Sequence, residues 1–179
     1  MPENENSFYR GCRQSEWKKE GKMPLPASPK AFYPDERKIN ELNQCETSIS
    51  WEDGPQSLVV FIKSEEDNTD FGNIKHGIFH IDNEKAQQKL EKDGYSEYVT
   101  VDHRRDPNSN NPYHGNICFN ANYFYTIDPG GRRRPQRHLL DIAAWCFVNA
   151  QIKFIPPTSY RNINEQNELP MHNKGDSIS

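Results

Sequence analysis

This sequence lacks long apolar stretches. No window approaches 18 consecutive apolar residues, and the N-terminal MPENENSFYRG has no apolar segment of the kind found in signal peptides. Apolar residues make up only 33% of the 179, and the mean hydropathy is −1.03. We therefore expect a cytoplasmic protein without a membrane span, whose single domain has a small core.

Cysteines are few and show no metal-binding spacing. Cys12, Cys45, Cys118 and Cys146 form no C-x-x-C pair, which argues against a structural zinc site. Cys118 and Cys146 lie within apolar runs, where a free buried thiol is the usual state. We predict a reduced protein with no metal and no cofactor.

The charge balance excludes a protein that binds nucleic acid over its whole surface. Lysines and arginines number 22 against 26 acidic residues, so the net charge is −4. Binding to nucleic acid or a nucleotide would need a local basic patch. Aromatic residues make up 11% of the chain, which favours a folded domain over a disordered one.

The hydrophobic patterns predict an α+β fold. We expect a single domain over residues 1–155, with a curved, mostly antiparallel sheet, one buried C-terminal helix and one amphipathic surface helix. A polar, flexible tail would follow over 156–179. The predicted strands are 8–12, 47–51, 57–63, 77–82, 98–103 and 115–127, and the predicted helices are 83–94 and 138–152.

Two of these assignments rest on local composition. Residues 57–63, SLVVFIK, are apolar enough for a central strand. Four prolines at positions 24, 26, 29 and 34 remove backbone donors, so this segment is expected to be an extended surface loop.

Three histidines are candidate catalytic residues. His103 ends one predicted strand, His114 begins the next, and His80 projects from a third. A neutral and a protonated imidazole beside a cation such as Arg10 can cleave RNA without metal. In the alternative interpretation, the asparagines at 108–111 form a turn and His114 binds a loop carbonyl. An HNH metal-nuclease site would need its last histidine on a helix, whereas His114 precedes a strand.

The densest cationic cluster is Arg132, Arg133, Arg134 and Arg137, immediately before the apolar helix. These side chains could bind a phosphate, a nucleic acid or an acidic protein partner. The alternative is a solvated basic flank with no ligand.

In order along the chain, FYRG, LPASPKAF, TSISW and NPYHGNI resemble a group of small uncharacterised bacterial proteins. That group shows Tyr-Arg-Arg, Pro-Ser-Ser-x-x-Phe, Leu-Ser-Val and Asn-Pro-Ala-His-Ala. This sequence departs from the pattern with Gly11, Ala27 and Tyr113. The resemblance implies no reaction; it singles out Arg10, Ser28, Phe32, Ser50 and His114.

FYRG followed by TSISW also resembles the opening of ADP-ribosyltransferases. This resemblance implies that Arg10 grips the NAD phosphates and that the strand with Ser50 shapes the nicotinamide pocket. The catalytic glutamate of that family has its nearest counterpart in Glu97, without the E-x-E or Q-x-E pattern.

Two functions are therefore predicted. The first is a bacterial-type accessory or interaction protein within a larger assembly, such as a defence-related or nucleic-acid-associated one. Long polar loops, the proline-rich segment 24–34 and the polar tail favour it. The second is a small enzyme acting on RNA, a nucleotide or NAD, in which Arg10 and His114 share a cleft.

Overall fold

The computed structural model describes residues 6–12, 19–20, 23–24, 28–66, 69–103 and 110–160. Its centre is a six-stranded sheet in which every pair of neighbours is antiparallel. The predicted α+β fold is thus confirmed. The sheet strands, in spatial order, are β10 (Gln151–Ile155), β5 (Ile78–Asp82), β1 (Ser7–Gly11), β4 (Gln44–Trp51), β7 (His114–Asn120) and β6 (Val99–Asp102).

Side chains that alternate along β1 belong to two different cores. Phe8 packs in the larger core, whereas Tyr9 packs in a smaller one. We call the side of the sheet that carries Phe8 the first face and the side that carries Tyr9 the second face. On β5, Phe79 and Ile81 join the first face and Ile78 the second, as the alternation predicts.

Two helices cover the first face. Helix α2 (Asn83–Lys92) begins where the Asp82 carboxylate accepts a hydrogen bond from the Lys85 N–H, and it buries Ala86 and Leu90. Helix α4 (Arg137–Val148) buries six of its twelve residues, and Trp145 is exposed. These are the predicted surface and buried helices, with the buried helix four residues shorter at its C-terminal end. Within the described ranges, no helix is long and apolar enough to cross a membrane.

The strand predicted at 57–63 is wrong, because this segment belongs to helix α1 (Gln56–Glu66). Leu58, Phe61 and Ile62 are buried at helical spacing against the second face. A continuous apolar run cannot distinguish a buried strand from a helix. Pro55, directly before the first helical residue, is the signal for a helix start.

The proline-rich segment is also more ordered than predicted. Residues 25–27 lie outside the described ranges, but Pro29–Phe32 forms a 3-10 helix in which Ala31 and Phe32 are fully buried. The ring of Phe32 stacks on Phe147 of α4, with centroids 5.8 Å apart. Residues Pro29–Phe32 are therefore part of the core, because Ala31 and Phe32 are buried in it and not exposed in a surface loop.

The remaining elements are short. They are two antiparallel pairs, β2 (Lys19–Glu20) with β3 (Met23–Pro24) and β8 (Tyr125–Ile127) with β9 (Arg133–Pro135), the helix α3 (Ala121–Phe124), and 3-10 helices at Thr69–Ile74 and Pro157–Ser159. Packing continues to Tyr160, which is 1% exposed and donates its hydroxyl hydrogen bond to the Ile74 carbonyl. The rest of the tail, 161–179, lies outside the described residues.

All four cysteines are buried free thiols, as expected for Cys118 and Cys146. Burial, together with the nearby Asp93 carboxylate, raises the pKa of Cys146 to about 12. A raised pKa leaves little reactive thiolate at neutral or mildly alkaline pH. The thiols should therefore react slowly in the folded protein.

We predict that a disulfide-exchange reagent at pH 8 labels the native protein slowly and labels all four thiols once urea unfolds it. Absorbance of the released thiolate measures both rates. Rapid labelling of one thiol in the native protein would contradict the burial described above.

Candidate functional site

Arg10 has a structural role on the first face. Its Nε donates a hydrogen bond to the Ala31 carbonyl at 2.9 Å, and NH1 donates to the Ser48 carbonyl at 3.2 Å. The residue is only 8% exposed. The guanidinium thus connects the 3-10 helix at Pro29–Phe32 to β4. Loss of these hydrogen bonds would destabilise the fold, because both acceptors are backbone carbonyls that would lose their donor.

Three residues from the bacterial resemblance therefore act together around this helix. Ser28 caps it by accepting a hydrogen bond from the Lys30 N–H, Phe32 is its buried anchor, and Arg10 holds its carbonyl. Gly11 is explained by a close approach: a Cβ at this position would lie 2.2 Å from the Asn73 carbonyl oxygen. A second arginine cannot be accommodated there.

A row of polar residues crosses the second face. Strand register places His80 opposite Tyr9, Tyr9 opposite Ser50, and Ser50 opposite His114. The row therefore spans four adjacent strands. His80 and His114 are three strand spacings apart, or roughly 14 Å between backbones. Arg10 lies on the opposite face, so the structure does not place it in a cleft with His114.

One end of the row is a closed triangle of Tyr9, Glu52 and His80. Oε2 of Glu52 lies 2.6 Å from Nε2 of His80, and the His80 ring stacks on Tyr9 with centroids 4.9 Å apart. The Tyr9 hydroxyl lies close enough to Glu52 and Ser57 for both side chains to affect its pKa. Burial, followed by the Glu52 charge, raises the pKa of Tyr9, so its phenol stays protonated. The triangle can hold and transfer a proton at the imidazole.

The other end of the row is a buried amide–hydroxyl pair. Nδ2 of Asn111 donates a hydrogen bond to Oγ of Ser50 at 2.9 Å, and Oδ1 of Asn111 accepts one from the Tyr113 N–H. Ser50 is fully buried and Asn111 is 5% exposed. The pair fixes the turn that leads into His114. Ser50 therefore does not belong to an exposed anion site with the arginines.

His103 is separated from the other two histidines. Its ring stacks on Trp51 with centroids 4.1 Å apart, and Trp51 belongs to the first-face core. The three histidines therefore do not converge. Glu97 is exposed in the turn before β6, three strands from β1. Among the described side chains, no three histidine, cysteine or acidic groups gather as metal ligands would.

The four arginines lie on and beside the β8–β9 hairpin. Arg133 pairs with Ile127 across the hairpin, Arg134 pairs with Thr126, and Arg137 is the first residue of α4. Arg132, Arg134 and Arg137 are exposed. Between Tyr125 and Arg137 the only acidic residue is Asp128, so this segment carries three excess positive charges in a chain of net charge −4.

Two large apolar side chains, one on the hairpin and one in the loop before β4, are strongly exposed. Ile127 on β8 is 71% exposed, and Leu42 is 62% exposed. Arg133 of β9 donates a hydrogen bond to the Glu36 carbonyl, and the N–H of Ala121, at the start of α3 just before β8, donates one to the carbonyl of Asn43, next to Leu42. We call Leu42, Ile127 and the four arginines the hairpin surface.

Comparison of the chain with protein-family models, with curated proteins and with solved structures gave no match. The two resemblances described above stay predictions. The geometry of the hairpin surface and of the Tyr9–Glu52–His80 triangle is therefore the basis for assigning function.

Tyr9, Glu52 and Asn111 have roles that sequence reasoning missed. Alternation along β4 continues past Ser50, which places Glu52 on the second face, and this signal was available in the sequence. On β1 the adjacent Arg10 was taken as the candidate residue, and Tyr9 was not. The contact between β1 and β5 that brings Tyr9 to His80 depends on strand order, which no local pattern specifies.

We predict that Arg10→Ala lowers the free energy of unfolding by about 2 kcal/mol, because a buried carbonyl and a partly buried carbonyl lose their donor. Urea denaturation followed by fluorescence measures the change. Exposed Arg132→Ala serves as the control and should change stability by less than about 0.5 kcal/mol. Equal stability of Arg10→Ala and wild type would refute the structural role.

Proposed function

We propose that this protein is an interaction module that binds an acidic surface of a protein partner through the hairpin surface, as an accessory component of a larger assembly. The proposal rests on exposed Ile127 and the arginines of one hairpin, together with exposed Leu42 in the loop before β4. Arginine with exposed apolar residues is the composition enriched in protein interfaces.

The hairpin is preorganised for binding. Oδ1 of Asp128 accepts hydrogen bonds from the N–H groups of Gly130 and Arg132, and Oδ2 accepts one from Nε of Arg134 at 2.9 Å. These bonds hold the turn between β8 and β9 in one shape. A rigid turn loses less conformational entropy on binding than a flexible one.

The exposed side chains favour a protein over a nucleic acid. Proteins that bind single-stranded nucleic acid stack bases on exposed aromatic rings. Tyr125, the aromatic residue of the hairpin, is 5% exposed, whereas aliphatic Ile127 and Leu42 face solvent. Aliphatic side chains bury well against an acidic, partly apolar protein surface, while the arginines pair with its carboxylates.

The enzymatic alternative is less well supported in the form expected from the sequence. It needed Arg10 and His114 in one cleft, but they lie on opposite faces, and Arg10 is engaged by backbone carbonyls. We therefore carry the interaction function forward.

We predict that a fluorescent oligo-glutamate peptide binds the wild-type protein in low salt and that Arg132→Ala with Arg137→Ala weakens binding about tenfold, from about 0.7 kcal/mol per lost charge pair. Fluorescence anisotropy gives the Kd. Lys85→Ala with Lys92→Ala removes the same charge from exposed positions of α2 and should leave the Kd unchanged.

The same titration with an RNA oligonucleotide and a DNA duplex separates the partner classes. Binding of either nucleic acid in preference to oligo-glutamate would replace the acidic protein with a nucleic acid as partner. Binding of none of the three probes would remove the charge argument and the proposal with it.

A second prediction concerns the assembly. In its native extract the wild-type protein should elute well above its 20.9 kDa monomer mass, and Ile127→Ser with Arg132→Ala should shift it towards the monomer position. Size-exclusion chromatography with antibody detection measures this. Elution of the wild-type protein as a monomer would contradict the accessory role.

A further inference from the structure

The imidazole of His80 is held rigidly at the edge of the second-face core. Phe61 of α1, Tyr9 of β1 and His80 form a stack, with centroid distances of 6.3 Å and 4.9 Å and interplanar angles of 14° and 26°. This stack restricts rotation of the His80 ring. The His80 side chain is 17% exposed, so the stack ends at solvent.

Glu52 selects the tautomer of this ring. Its carboxylate accepts the Nε2–H of His80 at 2.6 Å, which leaves the lone pair on Nδ1. The hydrogen bond described for the His80 ring is made by Nε2, and the side chain is partly exposed. Nδ1 is therefore the ring nitrogen that remains for an external group.

This arrangement suits an imidazole nucleophile. When Nδ1 forms a bond, positive charge develops on the ring, and the Glu52 carboxylate at Nε2 stabilises it. Lys153 of β10 is the strand neighbour of His80 on the other side from Tyr9 and projects to the same face. A cationic residue at this neighbouring position on the same face favours an incoming group with anionic oxygens.

We propose that Nδ1 of His80 is a phosphoryl-accepting site, modified by small phosphoryl donors. With N-protonated phosphoramidate as donor, the Nδ1 lone pair forms a bond to phosphorus while the phosphorus–nitrogen bond of the donor breaks. The electrons of that bond leave with the nitrogen, which already carries three protons and departs as ammonia. The Nε2 proton stays in its hydrogen bond to Glu52, so the positive charge of the phosphorylated ring faces that carboxylate.

This site is independent of the hairpin surface and of the proposed partner binding. The acidic groups on the same face near His80 are Glu52 and Asp82. Asp82 is engaged as the cap of α2, where it accepts a hydrogen bond from the Lys85 N–H. Its charge is therefore directed at the helix end, and Lys153 is the strand neighbour of His80 on β10.

The test is incubation of the full-length protein with phosphoramidate, followed by intact-mass and peptide mass spectrometry under alkaline conditions. We expect one phosphoryl group to appear first on His80, ahead of His76 and His138, although both of these are more exposed. Phosphorus–proton NMR correlation should assign it to Nδ1. Glu52→Gln should slow the reaction about tenfold or more.

Lys153→Ala should also slow phosphorylation, whereas exposed His138→Gln should leave the His80 rate unchanged. Far-ultraviolet circular dichroism checks the fold of each variant, and site mapping in the wild-type protein needs no variant at all. Modification of His80 no faster than His76 or His138, attachment at Nε2, or no effect of Glu52→Gln in a folded protein would each overturn the proposal.

Discussion

The alternation of side chains along β1 is the constraint on which the rest of the structure depends. This strand lies between β5 and β4 inside the sheet, and its two faces are both buried. Phe8 and Arg10 point to one core and Tyr9 to the other, so the strand commits each neighbour to one layer. If the pairing of β1 shifted by one residue, Tyr9 would be buried among the phenylalanines of the first face. Arg10 would then face helix α1 on the second face.

The same alternation separates structure from chemistry. Arg10 donates hydrogen bonds to backbone carbonyls, and these bonds stabilise a chain with few apolar residues. Among the described residues, the candidate functional groups lie elsewhere, in the hairpin surface and in the Tyr9–Glu52–His80 triangle. A small core of this kind needs such buried polar ties, because aromatic packing alone covers only part of the sheet.

Much of the fold and several candidate residues could be predicted from local patterns, but the contacts between those residues could not. The helix cap at Asp82 and the alternation of Ile78, Phe79 and His80 could be predicted, because each depends only on residues nearby in the sequence. The helix α1 was missed because SLVVFIK is apolar on all sides. The arginines of the hairpin were identified, but the bond from Arg133 to the Glu36 carbonyl and the contact between Tyr9 and His80 depend on loop packing and strand order.

The assignment of β1 side chains to faces is tested most directly by proton NMR of the aromatic rings. With Tyr9 on the second face, we expect nuclear Overhauser effects from the Tyr9 ring to both Phe61 and His80. Effects from the Tyr9 ring to Phe32 or Phe147 instead would place Tyr9 on the first face. That result would reverse the two layers and contradict the positions assigned to Arg10, Glu52 and His80.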